Sequence, residues 1–238
     1  MKITKTLLAL SFAATALPAA ATATTQFDFY KLGRGAAFDF LPIDGVPCTG
    51  GDLCSSNVDG NVRNGDLRFK SGGITAWATA NFDNGVAAVV QDSESRWTDR
   101  KGAGLGVYHR TRDNSDDNIT LGEMLTITFD QVVRLMEIEL RSEGHNFTNW
   151  TRDATFLLDG VRTALPLGTG LINLDKTGKV FTFAFDGLAA GRTSAPSTGD
   201  QFYLSAMTVQ TVPEPGTYAM VLLGLVALGS ISRRPRRD

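Results

Sequence analysis

A short acidic segment carries the densest group of oxygen-bearing side chains in the chain. Five candidate ligands for a hard cation fall within eleven residues: Asp113, Asn114, Asp116, Asp117 and Glu123. Ca²⁺ takes six to eight oxygen ligands, and extracellular modules bind it weakly. The spacing departs from the EF-hand loop, and no helix is predicted beside it. Two interpretations therefore stay open, a calcium-binding loop and a solvated acidic turn.

Paired carboxylates offer a second kind of chemistry. Glu137 and Glu139 alternate with apolar residues, so a strand would place both on one face, with Glu143 nearby. Glycoside hydrolases use two such carboxylates, one as the acid and one as the nucleophile or base. The spacing differs in residue type and register from the Glu-x-Asp-x-x-Glu pattern of laminarinase-type enzymes. The polar face of an amphipathic strand, paired with Arg134 or Arg141, explains the same residues.

Tryptophans in polar surroundings could bind sugars, because an indole face complements the apolar face of a pyranose. Trp97 and Trp150 lie among polar residues and are the candidates for this stacking. Trp77 lies in an apolar segment, so we assign it to the core. The sequence contains neither a Gly-x-Ser-x-Gly elbow nor a His-Glu-x-x-His zinc motif. These observations favour a binding or structural protein over an enzyme, with calcium as its one candidate cofactor.

The two cysteines lie close together in the sequence. Cys48 and Cys54 enclose a short, glycine-rich segment that is typical of a turn. In an oxidising compartment, two such cysteines are expected to form a local disulfide. A loop this small gives less than the roughly 2–4 kcal/mol of stabilisation that is typical of disulfides. The predicted bond would therefore mainly fix the shape of a loop.

Alternating apolar and polar residues predict strands along the middle of the chain. The clearest are residues 125–129, 136–140 and 181–185, where every second residue is apolar. Further candidate strands are residues 25–32, 73–81, 86–91, 104–109, 154–158 and 201–210. Turn-forming residues separate them, including Asp159-Gly160 and Asp175–Gly178. Nine or ten short strands predict an all-β domain, specifically a β-sandwich resembling a jelly roll.

The N-terminus has the features of a secretory signal peptide. Lys2 and Lys5 precede an apolar stretch, residues 7–17, that is too short to cross a bilayer. Ala21 and Ala23 are small residues suited to the −3 and −1 positions of a cleavage site. Residues 1–23 are therefore predicted to direct export through the Sec translocon and to be removed by signal peptidase.

The C-terminus has three parts in a fixed order. The tripeptide Pro213-Glu214-Pro215 precedes an apolar stretch, residues 217–231. A helix of this length spans about 22 Å, so crossing a hydrocarbon core of about 30 Å needs local thinning or snorkelling side chains. Four arginines that would stay cytoplasmic under the positive-inside rule complete the chain: Arg233, Arg234, Arg236 and Arg237. A simple single-pass anchor would account for the helix and the arginines.

All three parts together resemble the PEP-CTERM sorting signal of Gram-negative bacteria. The resemblance implies that an exosortase, a membrane-bound enzyme, recognises and processes the chain near Pro213-Glu214-Pro215. It also implies anchoring in the inner membrane before processing, then a place in the cell envelope or extracellular matrix, in association with exopolysaccharide and biofilm. The stretch from Gly104 to Asp159 is similar, more loosely, to the ectodomains of such proteins.

The charge of the central domain differs from that of the whole chain. The 238 residues include 23 basic and 25 acidic side chains, a net charge of −2. Without residues 1–23 and 213–238, six basic and two acidic residues are gone, and 17 basic and 23 acidic residues remain among 189. The resulting charge of −6 gives the domain no electrostatic reason to bind nucleic acid.

The sequence thus predicts three segments: a signal peptide (1–23), a β-sandwich ectodomain (24–212) and a sorting signal (213–238). The leading hypothesis is an exported, non-enzymatic envelope or matrix protein that an exosortase processes. One alternative is a calcium-dependent carbohydrate-binding or adhesive module that uses the Asp113–Glu123 loop. The other is a polysaccharide-active glycoside hydrolase that uses Glu137 and Glu139.

Overall fold

The structure, a computed structural model, describes residues 23–30, 48–49, 53–55, 66–83, 85–92, 102–108, 118–186, 200–212 and 224–225. These residues form thirteen strands: β1 (Thr24–Asp28), β2 (Cys48–Thr49), β3 (Leu53–Ser55), β4 (Asp66–Ser71), β5 (Ile74–Phe82), β6 (Gly85–Val86), β7 (Ala88–Asp92), β8 (Gly104–Tyr108), β9 (Glu123–Ser142), β10 (Thr155–Leu158), β11 (Val161–Ala164), β12 (Leu171–Phe185) and β13 (Phe202–Thr211). Helical conformation in the described part is limited to residues 200 and 224–225. The prediction of an all-β protein is confirmed.

The two predicted terminal segments lie almost wholly outside the described residues. Only residue 23 of the signal peptide and residues 224–225 of the predicted membrane helix are described. In the part of the chain that the structure covers, no helix is long and apolar enough to cross a membrane.

The strands join into one antiparallel sheet. Its main path runs β11-β10-β12-β9-β13-β8-β7-β3-β2, and β1 also pairs with β13. The hairpin strands β4, β5 and β6 join this path through β5, which pairs with β9. β9 is the centre of the sheet, because it pairs with β5, β12 and β13. The sequence predicted two short strands within residues 125–140, whereas the structure has this single strand of 20 residues.

β9 divides into two halves that have different neighbours. The first half, Glu123–Phe129, lies between β5 and the end of β12. The second half, Val133–Ser142, lies between β13 and the start of β12. From Gly178 to Val180, β12 advances by two residues, but its partner on β9 changes from Val133 to Thr128, five residues away. β9 therefore has three extra residues here, and residues 130–132 form a bulge. A bulge of this kind bends a strand without ending it.

The predicted turn at Asp175–Gly178 is wrong. β12 continues through these residues, with a shift of register between Asn173 and Lys176. The shift of register allows the turn-forming residues to lie within the strand. The Asp175 carboxylate forms an ion pair with Arg134 of β9, with 2.6 Å between Oδ1 and Nε. A bulge and a turn therefore use similar residues, and only the pairing distinguishes them.

The predicted turn at Asp159-Gly160 is confirmed. Asp159 and Gly160 have positive φ angles of 49° and 76° and connect β10 to β11 as a two-residue hairpin. Both central residues of a type I′ turn need φ above zero, which Asp tolerates and Gly favours. The Asp159 carboxylate also accepts a hydrogen bond from the backbone N–H of Thr182 at 2.5 Å, which ties the hairpin to β12.

A single apolar core lies against both halves of β9. Phe129 of the first half contacts the rings of Phe27 and Phe181, with centroids 5.7 and 6.0 Å apart. Val133 and Leu140 of the second half are fully buried in the same cluster. The alternation of the strands puts one apolar residue in every two toward this core, as period-two patterning predicts. The outer face of β9 therefore carries the remaining, mostly polar side chains.

Candidate functional site

The end of β13 is where the folded domain meets the predicted sorting signal. β13 pairs with β9 as far as Thr211, which lies opposite Val133. The next residue, Val212, donates its backbone N–H to the carbonyl of Val132 at 3.3 Å. The tripeptide begins at Pro213, directly after this hydrogen bond, and it lies outside the described residues together with the four arginines. The sequence therefore leaves no linker between the sheet and the tripeptide.

The outer face of the second half of β9 carries the paired carboxylates. The Glu139 carboxylate accepts two hydrogen bonds from the Arg141 guanidinium, from Nε and from Nη2, each at 3.1 Å. Glu137 lies on the same side of the strand and is half-buried. The ion pair gives the Glu139 carboxylate a partner two residues along the same strand. The predicted pairing of this face with Arg141 is confirmed for Glu139.

Arg141 is held on several sides. Its guanidinium carbon lies 3.8 Å from the ring centre of Tyr30 and 5.3 Å from that of Phe147. Nη1 donates a hydrogen bond to the carbonyl of Gly102 at 2.7 Å. A desolvated guanidinium over aromatic faces is a stabilising cation–π arrangement. Sequence reasoning missed this cluster, because Tyr30 and Gly102 lie 111 and 39 residues from Arg141 in the sequence and form no local pattern with it.

The predicted calcium loop lies mostly outside the described residues. Only Glu123 belongs to the described part, and its side chain is buried with 1% exposure. Its carboxylate accepts a hydrogen bond from the backbone N–H of Thr120 at 2.9 Å, and its own N–H donates to the Thr120 carbonyl. In the covered ranges, no three His, Cys, Asp or Glu side chains lie together as metal ligands would. Glu123 thus closes a turn, and calcium binding stays a prediction.

The structure reverses the expected positions of two tryptophans. Trp150, a predicted sugar-stacking residue, is buried with 4% exposure, and its indole N–H donates to the carbonyl of Gln201 at 3.1 Å. The stacking prediction is therefore wrong for Trp150, because its polar sequence neighbours surround a ring that packs into the core. Trp77, which we assigned to the core, is half-buried on the outer face of β5, while Ala76 and Ala78 face inward. Trp97 lies outside the described residues.

The two cysteines occupy cross-strand positions. The register of β2 and β3 places Cys48 opposite Cys54. Opposite backbone positions on neighbouring antiparallel strands are compatible with the predicted disulfide. The pairing extends to β7, because Cys54 lies opposite Gln91. The disulfide stays a prediction about this hairpin.

Two ion pairs shift the pKa values of the residues that form them. A hydrogen bond from Arg134 lowers the pKa of Asp175, and the same interaction raises that of Arg134. Burial would raise the pKa of Asp186, but hydrogen bonds from Arg162 and Thr155 and the Arg162 charge together hold it below its ordinary value. Each carboxylate therefore stays ionised at neutral pH and serves a structural pair.

Comparison with known proteins identifies the C-terminal segment. Residues 211–237 match the family described as the PEP-CTERM protein-sorting motif. No curated protein and no solved structure matches the chain. The chain thus carries this sorting motif at the predicted position, immediately after β13. The motif implies an exported protein that is anchored in the membrane until an exosortase processes it.

Proposed function

We propose that this chain, as the carrier of a PEP-CTERM sorting motif, is a non-enzymatic protein of the cell envelope or extracellular matrix. Residues 1–23 would direct export and be removed, and residues 213–238 would hold the chain in the inner membrane until processing. The observation that carries the proposal is the match of residues 211–237 to the sorting motif. The mature product would associate with exopolysaccharide.

The mature product is proposed to be a β-sandwich. The bulge at residues 130–132 offers a point at which the sheet turns back over itself. Support comes from contacts across the core: Phe27 of β1 lies against Phe129, and Phe29 lies 4.9 Å from Phe69 of β4. Phe29 directly follows β1, and β1 and β4 are not neighbours in the sheet, so rings from separate parts of the sheet meet edge to face across the core.

The position of the motif supports processing at the surface of a folded domain. β13 keeps its pairing with β9 up to Val212, one residue before the tripeptide. An exosortase that cuts within Pro213–Pro215 would therefore act within a few residues of the sheet. Cleavage there would separate the whole acidic domain from the arginine-rich tail and leave the strands intact.

The geometry favours this function over the two alternatives. For a hydrolase, Glu139 forms an ion pair with Arg141 of its own strand, which gives this carboxylate a structural role that needs no substrate. For a calcium-dependent module, the single described ligand candidate, Glu123, closes a turn with Thr120. A non-enzymatic domain requires neither site.

The test is the mass and location of the product in a host that contains an exosortase. The wild-type chain should give a soluble product that starts near residue 24 and ends within Pro213–Pro215, recovered from a membrane-free fraction. Glu214→Ala should leave a longer, membrane-bound product, because the tripeptide is the recognition element. Glu137→Gln, which removes a glutamate from the domain surface, is the matched control and should be processed normally. Full-length wild-type chain in the cytoplasm would refute the proposal.

A further inference from the structure

The outer face of the first half of β9 is a regular array of hydroxyl groups. Three threonines on three adjacent strands form one row, because Thr79 lies opposite Thr126 and Thr126 lies opposite Thr182. The hydroxyl oxygens of Thr126 and Thr182 are 3.3 Å apart. All three side chains are half-buried, so each keeps part of its surface in contact with solvent. We call this array, with the row described next, the threonine face.

The second row of the threonine face contains an aromatic ring. Trp77 lies between Arg68 of β4 and Thr128 of β9 in the register of the sheet. Trp77 and Thr128 are half-buried, like the residues of the first row. Adjacent strands are about 4.8 Å apart, so the ring lies within one strand spacing of a hydroxyl group. An indole and a set of hydroxyl groups therefore point the same way from one surface.

The centre of the threonine face is uncharged, although the domain is acidic. The side chains between Trp77 and β12 are the four threonines and Val180. Ionisable residues occupy the margin: Asp130 of β9, and on β4 Lys70, Arg68 opposite Trp77 and Asp66 opposite Thr79. Asp130 accepts a hydrogen bond from the backbone N–H of Thr75 at 3.1 Å. The net charge of −6 for residues 24–212 repels anionic polymers, and the face offers no cluster of acids to attract cationic ones. The ligand that matches this surface is neutral and rich in hydroxyl groups.

We propose that the threonine face binds a neutral polysaccharide. The apolar face of a pyranose would stack on Trp77, and the hydroxyl groups of the same and adjoining sugars would exchange hydrogen bonds with Thr79, Thr126 and Thr128. Rows on adjacent strands repeat in register, which suits a ligand that itself has a repeating structure. The proposal rests on the proposed function in one respect, that export brings the domain to polysaccharide outside the cell.

The proposal differs from the sugar sites that the sequence suggested. Those used Trp97, Trp150 and a calcium loop, whereas this surface uses Trp77 and needs no metal. The decisive observation is the alternation within β5, which buries Ala76 and Ala78 and leaves Trp77 on the other side. Trp77 on this outward position is half-buried, so part of its indole is in contact with solvent beside the hydroxyl groups.

The test is a binding assay with the full chain purified in detergent, so that its result does not depend on processing. The probes are a soluble neutral β-glucan, insoluble cellulose and, as an anionic comparison, alginate. Wild-type protein should bind at least one neutral glucan, and its affinity should be the same in low and high salt, since no ionic contact is involved. Trp77→Ala should weaken binding about tenfold or more, as expected for an aromatic anchor.

A second variant protects the test against misfolding of Trp77→Ala. The double variant Thr79→Val and Thr126→Val keeps the shape and strand preference of both residues and should weaken binding several-fold. Thr208→Val is the matched control, since Thr208 is a half-buried threonine of β13 that lies opposite Glu137, away from the threonine face. It should bind like wild type. Two results for the wild-type protein would overturn the proposal: binding to neither glucan, or binding to alginate alone. Equal glucan affinity of the wild type, Trp77→Ala and the double threonine variant would overturn it as well.

Discussion

The two halves of β9 share one core but present opposite chemistry to the outside. Both halves bury large apolar residues, such as Ile127 in the first and Leu135 in the second. Outside, the first half carries threonines beside Trp77, whereas the second carries Glu137, Glu139 and other ionisable groups. One continuous strand thus combines an uncharged surface with a charged one.

The difference shows where ligand chemistry is available in this domain. In the second half, charged groups satisfy one another: Arg134 binds Asp175, and Arg141 binds Glu139 beneath two aromatic rings. Their residue types make them catalytic candidates, and in the structure they form ion pairs with one another. In the first half, the hydroxyl groups are arranged in rows and retain partial exposure. Residue type alone thus drew attention to the charged half, whereas the face proposed to bind polysaccharide lies on the other half.

The largest effect is expected where the two halves meet in the core. Phe129→Ala removes a ring that contacts Phe27 and Phe181, and it should destabilise the domain by about 3–5 kcal/mol. The free energy of unfolding, measured in denaturant, checks this value. Val132→Ala, at a position with 41% exposure, is the control and should change it little. Two separate unfolding transitions in the variant would contradict a core shared by both halves.

A smaller effect is expected from the buried guanidinium. Arg141→Ala removes the stacking with Tyr30 and Phe147 and leaves Glu139 without its partner, so stability should fall by about 2–3 kcal/mol. Arg141→Lys should recover part of this loss, because it restores the charge but not the planar group. Arg134→Ala breaks the exposed pair with Asp175 and should leave the denaturation midpoint nearly unchanged. Equal losses for Arg134→Ala and Arg141→Ala would refute the distinction between an exposed and a buried pair.

The smallest effect is expected at the ion pair of Arg162 with Asp186, and it depends on pH. The pKa of Asp186 is lowered in the folded state, so its ionisation stabilises the fold above the ordinary value of 3.8. This stabilisation is lost as the pH falls through the lowered value. Asp186→Asn should therefore reduce the thermal midpoint at pH 7, and the difference from wild type should shrink below about pH 4. A difference that grows in acid would contradict the assigned direction.

The sequence predicted local features of the fold well, because strands and tight turns depend on neighbouring residues. Five of the candidate strands lie within about two residues of β5, β7, β8, β10 and β13, whereas the candidate 25–32 extends four residues beyond the end of β1. Asp159-Gly160 was recognisable because its residue types match the φ angles of a type I′ turn. The sorting motif was recognisable for the same reason, since its parts are contiguous.

The failures all involve distant partners. Nothing near Trp150 in the sequence indicates that its indole reaches the carbonyl of Gln201, 51 residues away. The alternation in β5 could be predicted from the sequence, but the apolar residues around Trp77 did not indicate that Trp77 lies on the outer face. The bulges in β12 depend on its register with β9, which period-two patterning does not specify. Face and pairing are tertiary properties, and they decided which residues form the candidate sites.

The hydrogen bond between Val212 and Val132 has a consequence for how closely the processed end of the chain would follow the folded domain. If processing leaves at most three residues beyond Val212, the remaining tether spans about 10 Å. A peptide this short would keep the end of β13 within about 10 Å of any polymer to which the processed end is joined. Several copies joined to one polymer would then let many weak contacts act together.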